Sequence, residues 1–277
     1  MKIQYKEKVL DLTSPQIMGI LNTTPDSFSD GGKYTAIDKA IDHAEQMICE
    51  GATIIDIGGE STRPGAPEVS VEDELLRVIP VVEALRKKSD VWISIDTSKA
   101  EVMKASIEAG ADLINDIRAL QEPNTIDVVA EAQVPVCIMH MKGKPRTMQQ
   151  APQYDCFIDE VHTFIRKRID ACIAGGIRRE NIILDPGFGF GKSLEHNYEL
   201  LAKLETFQQY QLPILTGLSR KTMLHKLLNK NPSECVTPSV VGAVLCAERG
   251  AHILRVHDVR ETAEAVAMFN VMHQFQL

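Results

Sequence analysis

The chain has 277 residues, 44% hydrophobic and 25% charged, the mix of a globular domain with a sizeable core. Its 30 Lys and Arg against 38 Asp and Glu leave a formal charge of −8. That excludes a surface built for nonspecific nucleic-acid binding, yet permits a local basic cluster around an anionic small molecule.

The first residues, Met1-Lys2-Ile3-Gln4-Tyr5, carry no apolar stretch or cleavage site of a secretory signal. No apolar run nears the ~20 residues of a membrane span. None of the six cysteines forms a Cys-x-x-Cys pair. Reduced thiols and a cytoplasmic location are expected.

Residues 1–15 precede the first core strand, and a small hairpin covering a barrel bottom is expected there. Eight short apolar runs follow: Ile17–Leu21, Thr53–Ile57, Val91–Ile95, Leu113–Ile114, Val134–Met139, Ile182–Leu184, Pro213–Leu218 and Ile253–Val256. Between them lie helical patterns at Ile37–Cys49, Val71–Lys87, Glu101–Ala109, Phe157–Ala174 and Tyr198–Gln208. Strands alternating with helices predict βαβ units and a buried parallel sheet. Eight units with no linker predict one (β/α)8 TIM barrel spanning residues 1–277, a fold of about 250 residues with its active site at the C-terminal strand ends.

Those strand ends are polar. They carry Asn22, Gly58-Gly59-Glu60-Ser61-Thr62-Arg63-Pro64, Asp96, Asn115, Met139-His140, Asp185, Ser219-Arg220-Lys221 and Arg255-Val256-His257. Alternation along a strand pairs Ser94 with Asp96, Cys137 with Met139, Ile183 with Asp185 and Arg255 with His257 on single faces. Each residue has a structural reading as turn, cap or core polar group. Convergence of all of them on one rim favours a site. Arg220 and Lys221 lie at a helix start, where cations are disfavoured, which hints at a nearby anion. The Gly187-Phe188-Gly189-Phe190-Gly191-Lys192-Ser193 stretch is no P-loop, because Pro186 stands where the first glycine belongs. It reads as a tight loop that lets Phe188 or Phe190 lie over a flat ligand. No Gly-x-Ser-x-Gly elbow or His-Glu-x-x-His zinc motif is present.

Such a rim suits a flat heterocycle joined to an anion. Asp185 and Asn115 can meet a 2-aminopyrimidinone edge, the carboxylate accepting two parallel N–H bonds as it would from Arg. Met139, Phe188 or Phe190, and the Arg255 guanidinium can sandwich a ring. Asn22, Arg63, Arg255 and His257 can hold phosphates, together with a hard cation such as Mg²⁺ that keeps most of its waters.

These motifs, in order from about Met18 to Val259, resemble the dihydropteroate synthase family. The long stretches 19–32 and 56–65 carry the most specific part of the likeness. The resemblance implies a (β/α)8 transferase of cytoplasmic folate synthesis, often a homodimer. Such enzymes join p-aminobenzoate to 6-hydroxymethyl-7,8-dihydropterin diphosphate with Mg²⁺, release diphosphate, and are inhibited by sulfonamides.

Residue by residue, the likeness implies a pterin set of Asp96, Asn115, Met139, Asp185, Phe190, Lys221 and Arg255. It implies a diphosphate and metal set of Asn22, Arg63, Arg255 and His257, with Asn22 the residue toward Mg²⁺. It implies a p-aminobenzoate set of Phe28, Thr62, Pro64, Ser219, Lys221 and Thr222. Asp96, Lys221, Arg255 and His257 would carry the chemistry, by departure of diphosphate before amine attack, under closure of the 23–35 and 61–68 loops. Two rivals share the pterin-facing residues: a methyltetrahydrofolate-dependent methyltransferase barrel and a noncatalytic pterin-binding protein. Roles for Asp56, Glu60 and His140 stay open at this point.

Overall fold

Runs of β-branched residues that are apolar on both faces can be satisfied only as strands covered on both sides. In the computed structural model, which describes residues 1–23, 33–61, 66–143 and 152–275, they form that kind of sheet. Strands β3 (Gln16–Asn22), β4 (Ile54–Gly58), β5 (Trp92–Asp96), β6 (Leu113–Asp116), β7 (Val136–Met139), β8 (Ile182–Asp185), β9 (Leu215–Thr216) and β10 (Ile253–Val256) are all parallel. Their order is β8-β7-β6-β5-β4-β3-β10-β9. The circle closes through a parallel bridge between Leu184 and Ile214, with the Leu184 N–H on the Pro213 carbonyl at 2.8 Å. Every residue of β4 and β5 is buried, and a fully buried Ile is worth roughly 1.5–3 kcal/mol.

Helices α1 (Lys33–Cys49), α2 (Val71–Lys88), α3 (Ala100–Ala109), α4 (Thr125–Ala132), α5 (Phe157–Ala174), α6 (Leu194–Ala202), α7 (Thr222–Leu228), α8 (Val236–Glu248) and α9 (Val259–Gln274) connect the strands. In α2, Ser70 caps the N-terminus by accepting the Asp73 N–H at 3.0 Å. Acids in its first turn and bases in its last both oppose the helix dipole. Among the described residues, no helix is long and apolar enough to cross a membrane.

The expected hairpin is present. β1 (Lys2–Tyr5) and β2 (Lys8–Asp11) pair antiparallel, and Ile3, Tyr5, Leu10 and Leu12 are buried in the core. Lys8 donates to the Val91 carbonyl at 3.3 Å and to Asp112 at 3.0 Å. Both acceptors precede strands, so the hairpin plugs the end of the barrel opposite the polar rim.

Two expected elements differ. The helix predicted over 198–208 ends at Ala202, and a 3-10 helix runs over Leu204–Tyr210. Leu204, Phe207 and Tyr210 recur every third residue, which is the 3-10 period. The run 213–218 contributes only Leu215 and Thr216 as strand, although its other residues up to Ser219 stay buried.

Asp112 ties hairpin, helix and sheet together. It accepts from Lys8, from Arg86 at 2.5 Å and from the Ile93 N–H at 3.0 Å. Removing it leaves the half-buried Arg86 with carbonyl acceptors but no carboxylate, and the buried Ile93 N–H without its acceptor. Asp112→Ala is therefore expected to cost about 3 kcal/mol in denaturant unfolding while leaving turnover unchanged. Equal unfolding midpoints for the variant and the parent would refute this account of the clamp.

Candidate active site

Strand register decides which polar residues meet. Gly58, Asp96 and Asn115 lie in one row across β4, β5 and β6, with Asp56 and Ser94 in the row below. Met139 lies beside Asp185. The inward faces thus collect the carboxylates and the amide, while Ile55, Ile57, Ile93 and Ile95 alternate with them along their strands.

Arg255 crosses from β10 to the middle of this group. Its Nε donates to Asp56 Oδ2 at 2.7 Å and one terminal nitrogen donates to Asp96 Oδ2 at 2.8 Å. Asn115 donates to the same Asp56 oxygen at 3.2 Å. Asp56 is fully buried and its other oxygen, Oδ1, has no partner among the described residues. Burial pushes the Asp96 carboxyl up; Arg255 opposes this and Asp56 adds to it, leaving it at about 7. Burial acts to lower the Arg255 pKa, but the two carboxylates outweigh it, so the guanidinium stays charged.

Asp185 ends β8 and is buried. Burial raises its pKa, and Lys221 is the chief opposing charge. Its Oδ1 accepts the Gly187 N–H at 2.7 Å. Gly187 and Gly191 have φ of 75° and 65°, and a Cβ would lie 1.9 Å from the His140 carbonyl at the first and 2.3 Å from the Lys142 carbonyl at the second. Both positions need glycine. The reversals they allow separate the two aromatics: Phe188 is wholly buried in the core, and Phe190 is half-exposed with the Lys221 ammonium 4.5 Å from its ring centre. Lys221 also donates to the Phe188 carbonyl. Burial lowers the Lys221 pKa to about 8, with Asp185 pulling the other way.

The remaining candidates frame this centre. Ser219 is buried, and its Oγ accepts the His257 N–H at 3.2 Å and lies 3.0 Å from the His257 Nδ1. Thr222 opens α7, and Asn22 is exposed at the end of β3. Arg220 does not wait for an anion: it is paired with Asp258 in a two-point ion pair, and that carboxylate explains a cation at a helix start. Phe28, Thr62, Arg63 and Pro64, with most of the 23–35 and 61–68 loops, lie outside the described residues.

The structure also answers for residues whose partners are remote in sequence. Glu60 accepts from Lys99 at 2.5 Å, as does the fully buried Glu74, so Glu60 anchors the segment after β4. His140 is buried and its Nδ1 receives Lys192. A cavity of about 790 Å³ opens on the β4–β7 side, bordered by Glu60, Lys99, Arg118 and Met141. Of the sequence-derived candidates among the described residues it touches Asp96 alone. Arg255, Asp185 and Lys221 lie outside that lining.

Comparison with known proteins agrees with this fold. The pterin binding enzyme family matches residues 18–257. The dihydropteroate synthase of Escherichia coli strain K12 is 56% identical over 266 residues, 96% of this chain and 94% of that protein. The Yersinia pestis dihydropteroate synthase, solved in a sulfonamide drug complex, superposes with a TM-score of 0.95 at 52% identity, covering 99% of this chain and 100% of that one. The Xanthomonas albilineans enzyme, solved with 4-aminobenzoic acid, gives 0.93 at 45% identity, with 98% of each chain covered. The chain belongs to the pterin binding enzyme family and, within it, to the dihydropteroate synthases, which are transferases.

Proposed function

We propose that the chain joins p-aminobenzoate to 6-hydroxymethyl-7,8-dihydropterin diphosphate, giving 7,8-dihydropteroate and diphosphate. The observation that carries this reading is the division of one mouth into two halves. Buried acceptors, Asp185 beside Lys221 and Asn115 on the Asp56 oxygen it shares with Arg255, face the lumen on one side, and the cationic Arg255, two residues before His257 on the same strand, borders them on the other. The acceptors suit the amino-pyrimidinone edge of the pterin. Met139, Phe190 and the Arg255 plane suit its ring faces.

Arg255 is held by two carboxylates before substrate arrives, so its charge needs no reorganisation as the diphosphate leaves. Arg63, Arg255, His257 and Asn22 would receive that anion. As the C–O bond breaks, its electron pair departs with the diphosphate, and the exocyclic methylene becomes a cation delocalised into the ring. The Asp96 carboxylate would stabilise that charge. The neutral arylamine, lying by Ser219, Lys221 and Thr222 and by Phe28, Thr62 and Pro64, then forms the C–N bond and loses its proton to water. No strong base is needed. Sulfonamides would enter by mimicking the arylamine.

Mg²⁺ fits this arrangement as an ion carried by the substrate. Among the described residues no cluster of three His, Cys, Asp or Glu could hold a metal, and Asn22 offers a neutral amide oxygen at the rim. Such a donor set leaves most ligands to waters and phosphate oxygens. When bound, the ion neutralises charge on the leaving diphosphate.

The chain would act as a homodimer through its last helices. Leu227, Val241, Met268, Val271 and Phe275 are exposed there, Met268 by 77% and Phe275 by 86%, and grouped exposed apolar side chains are a mark of an interaction surface. Met268→Glu with Val241→Glu is expected to halve the mass measured by sedimentation equilibrium. A monomeric parent would refute the dimer.

The decisive assay supplies both substrates with and without Mg²⁺ and follows dihydropteroate and diphosphate. Equal, Mg²⁺-dependent formation of both is expected. Pterin binding with neither product would move the reading to a methyltransferase or a noncatalytic binder. Asp185→Ala is expected to weaken pterin binding by about 2–3 kcal/mol without unfolding the chain, the scale of hydrogen bonds to a charged group. Arg255→Ala should slow turnover about 100-fold or more. Normal pterin affinity in the first, or normal turnover in the second, would refute the assigned role.

Charge states give a pH test. Asp96 must be ionised, which favours pH above about 7, and Lys221 must be protonated, which favours pH below about 8. The kcat/KM for the pterin substrate should rise through the first value and fall through the second. In Lys221→Arg the falling limb should move to higher pH, because Arg stays charged. A falling limb that does not move would mean that another group titrates.

A further inference from the structure

Lys192 is a buried cation with no part in the chemistry above. Only 2% of it is exposed. Its Nζ donates to the Gly187 carbonyl at 2.7 Å, the His140 Nδ1 at 2.8 Å and the Phe190 carbonyl at 3.2 Å, with the His140 carbonyl at 3.4 Å. An ammonium has three N–H donors, and three good acceptors surround this one. Burial drives the pKa of Lys192 well down, with Asp185 opposing and Lys221 adding to the fall. Burial likewise holds the His140 ring well below its ordinary value, Lys192 contributing, so the imidazole is neutral and accepts at Nδ1.

The loop that Lys192 closes is the loop that touches the pterin half of the mouth. Its inner carbonyls, from Gly187 and Phe190, converge on Nζ. Its outer groups face the site: the Gly187 N–H donates to Asp185, the Phe188 carbonyl receives Lys221, and the Phe190 ring lies under the Lys221 ammonium. Three glycines at positive φ, Gly187, Gly189 and Gly191, give the loop little stiffness of its own. A cation at its centre supplies the missing constraint, and the Gly189 N–H adds a second tie to Asn197 Oδ1 at 2.6 Å.

We infer that Lys192, with His140 as its acceptor, is a positioning residue: it fixes the 187–190 loop from inside and so orients Asp185, Lys221 and Phe190 toward the pterin. The inference rests on the reading that Asp185 and Lys221 bind that ring. Loss of Lys192 should therefore act on pterin affinity and spare the anion half, where Arg255 is held by Asp56 and Asp96.

The test measures dihydropterin diphosphate binding by calorimetry, and kcat and KM separately, in Lys192→Met, His140→Leu, His140→Asn and Asp185→Ala. Circular dichroism checks that each is folded at the assay temperature. Lys192→Met keeps the stem and removes the donors. It is expected to raise the pterin Kd and KM by about tenfold or more, the scale of a lost hydrogen bond to a charged group, with kcat changed less than about threefold. His140→Leu should move in the same direction. His140→Asn, which can place an amide oxygen near the Nδ1 position, should recover most of the affinity. The double variant Lys192→Met/His140→Leu should be little worse than Lys192→Met alone, because both remove one shared bond. Should Lys192→Met not fold, the two His140 variants carry the test.

Pterin affinity within about twofold of the parent in both Lys192→Met and His140→Leu, while Asp185→Ala binds poorly, would overturn the inference and leave the pterin assignment standing. A lower melting temperature with unchanged Kd and KM would reduce Lys192 to a structural role and overturn it equally. Unchanged affinity in Asp185→Ala itself would overturn the underlying reading.

Discussion

One guanidinium held between two carboxylates organises the centre of this barrel's mouth. Arg255 lies 199 residues from Asp56 and 159 from Asp96 in sequence, and only closure of the barrel brings the three together. Burying a charge costs several kcal/mol unless it is paired and hydrogen-bonded. Here two acids share one base; burial raises the Asp96 pKa, Arg255 opposes the rise and the neighbouring Asp56 adds to it. The same arrangement that settles the buried charges leaves a carboxyl poised near neutrality at the rim, where charge develops in the proposed reaction. Structure and chemistry are served by one set of contacts.

The second half of the mouth is built differently. Asp185 and Lys221 face one another across a glycine-rich loop, and neither is held by a direct short ion pair among the described residues. Their order comes from backbone groups: an N–H on Asp185 and a carbonyl on Lys221. Side-chain ion pairing thus fixes the half proposed for the anion, and loop conformation fixes the half proposed for the heterocycle. A rigid cationic clamp suits a leaving group whose charge changes during reaction. A set of directed backbone and side-chain bonds suits a ring recognised by its edge.

Much of this was legible in the sequence. Eight apolar runs, each ending in polar or glycine residues, define the barrel and its working end, because a strand buried on both faces can place a polar group only at its terminus or toward the lumen. Asp96, Asn115, Asp185 and Arg255 were found that way. Other features depended on partners that periodicity does not reveal. The Asp56 carboxylate, the Lys99–Glu60–Glu74 cluster and Lys192 acquire meaning only when distant strands and loops meet. Phe188 and Phe190 were indistinguishable because positive-φ glycines reset the alternation between them. The 3-10 segment after Ala202 read as helix because its apolar spacing of three also fits one face of an α-helix. Arg220 pointed toward a ligand until Asp258, 38 residues onward, was seen to meet it.

The way the barrel closes has a consequence of its own. From β4 to β8 neighbouring strands share continuous ladders, whereas β9 has two residues and joins β8 by a single bridge. The wall therefore has a seam, and the seam leads directly into Ser219, Lys221 and Thr222. A cylinder with one thinly stitched edge bends there first under thermal agitation. Asp185 stands one residue past the bridge on β8 and Ser219 three residues past β9, so both lips of that seam carry candidate site residues, and any opening of it would change the spacing between them.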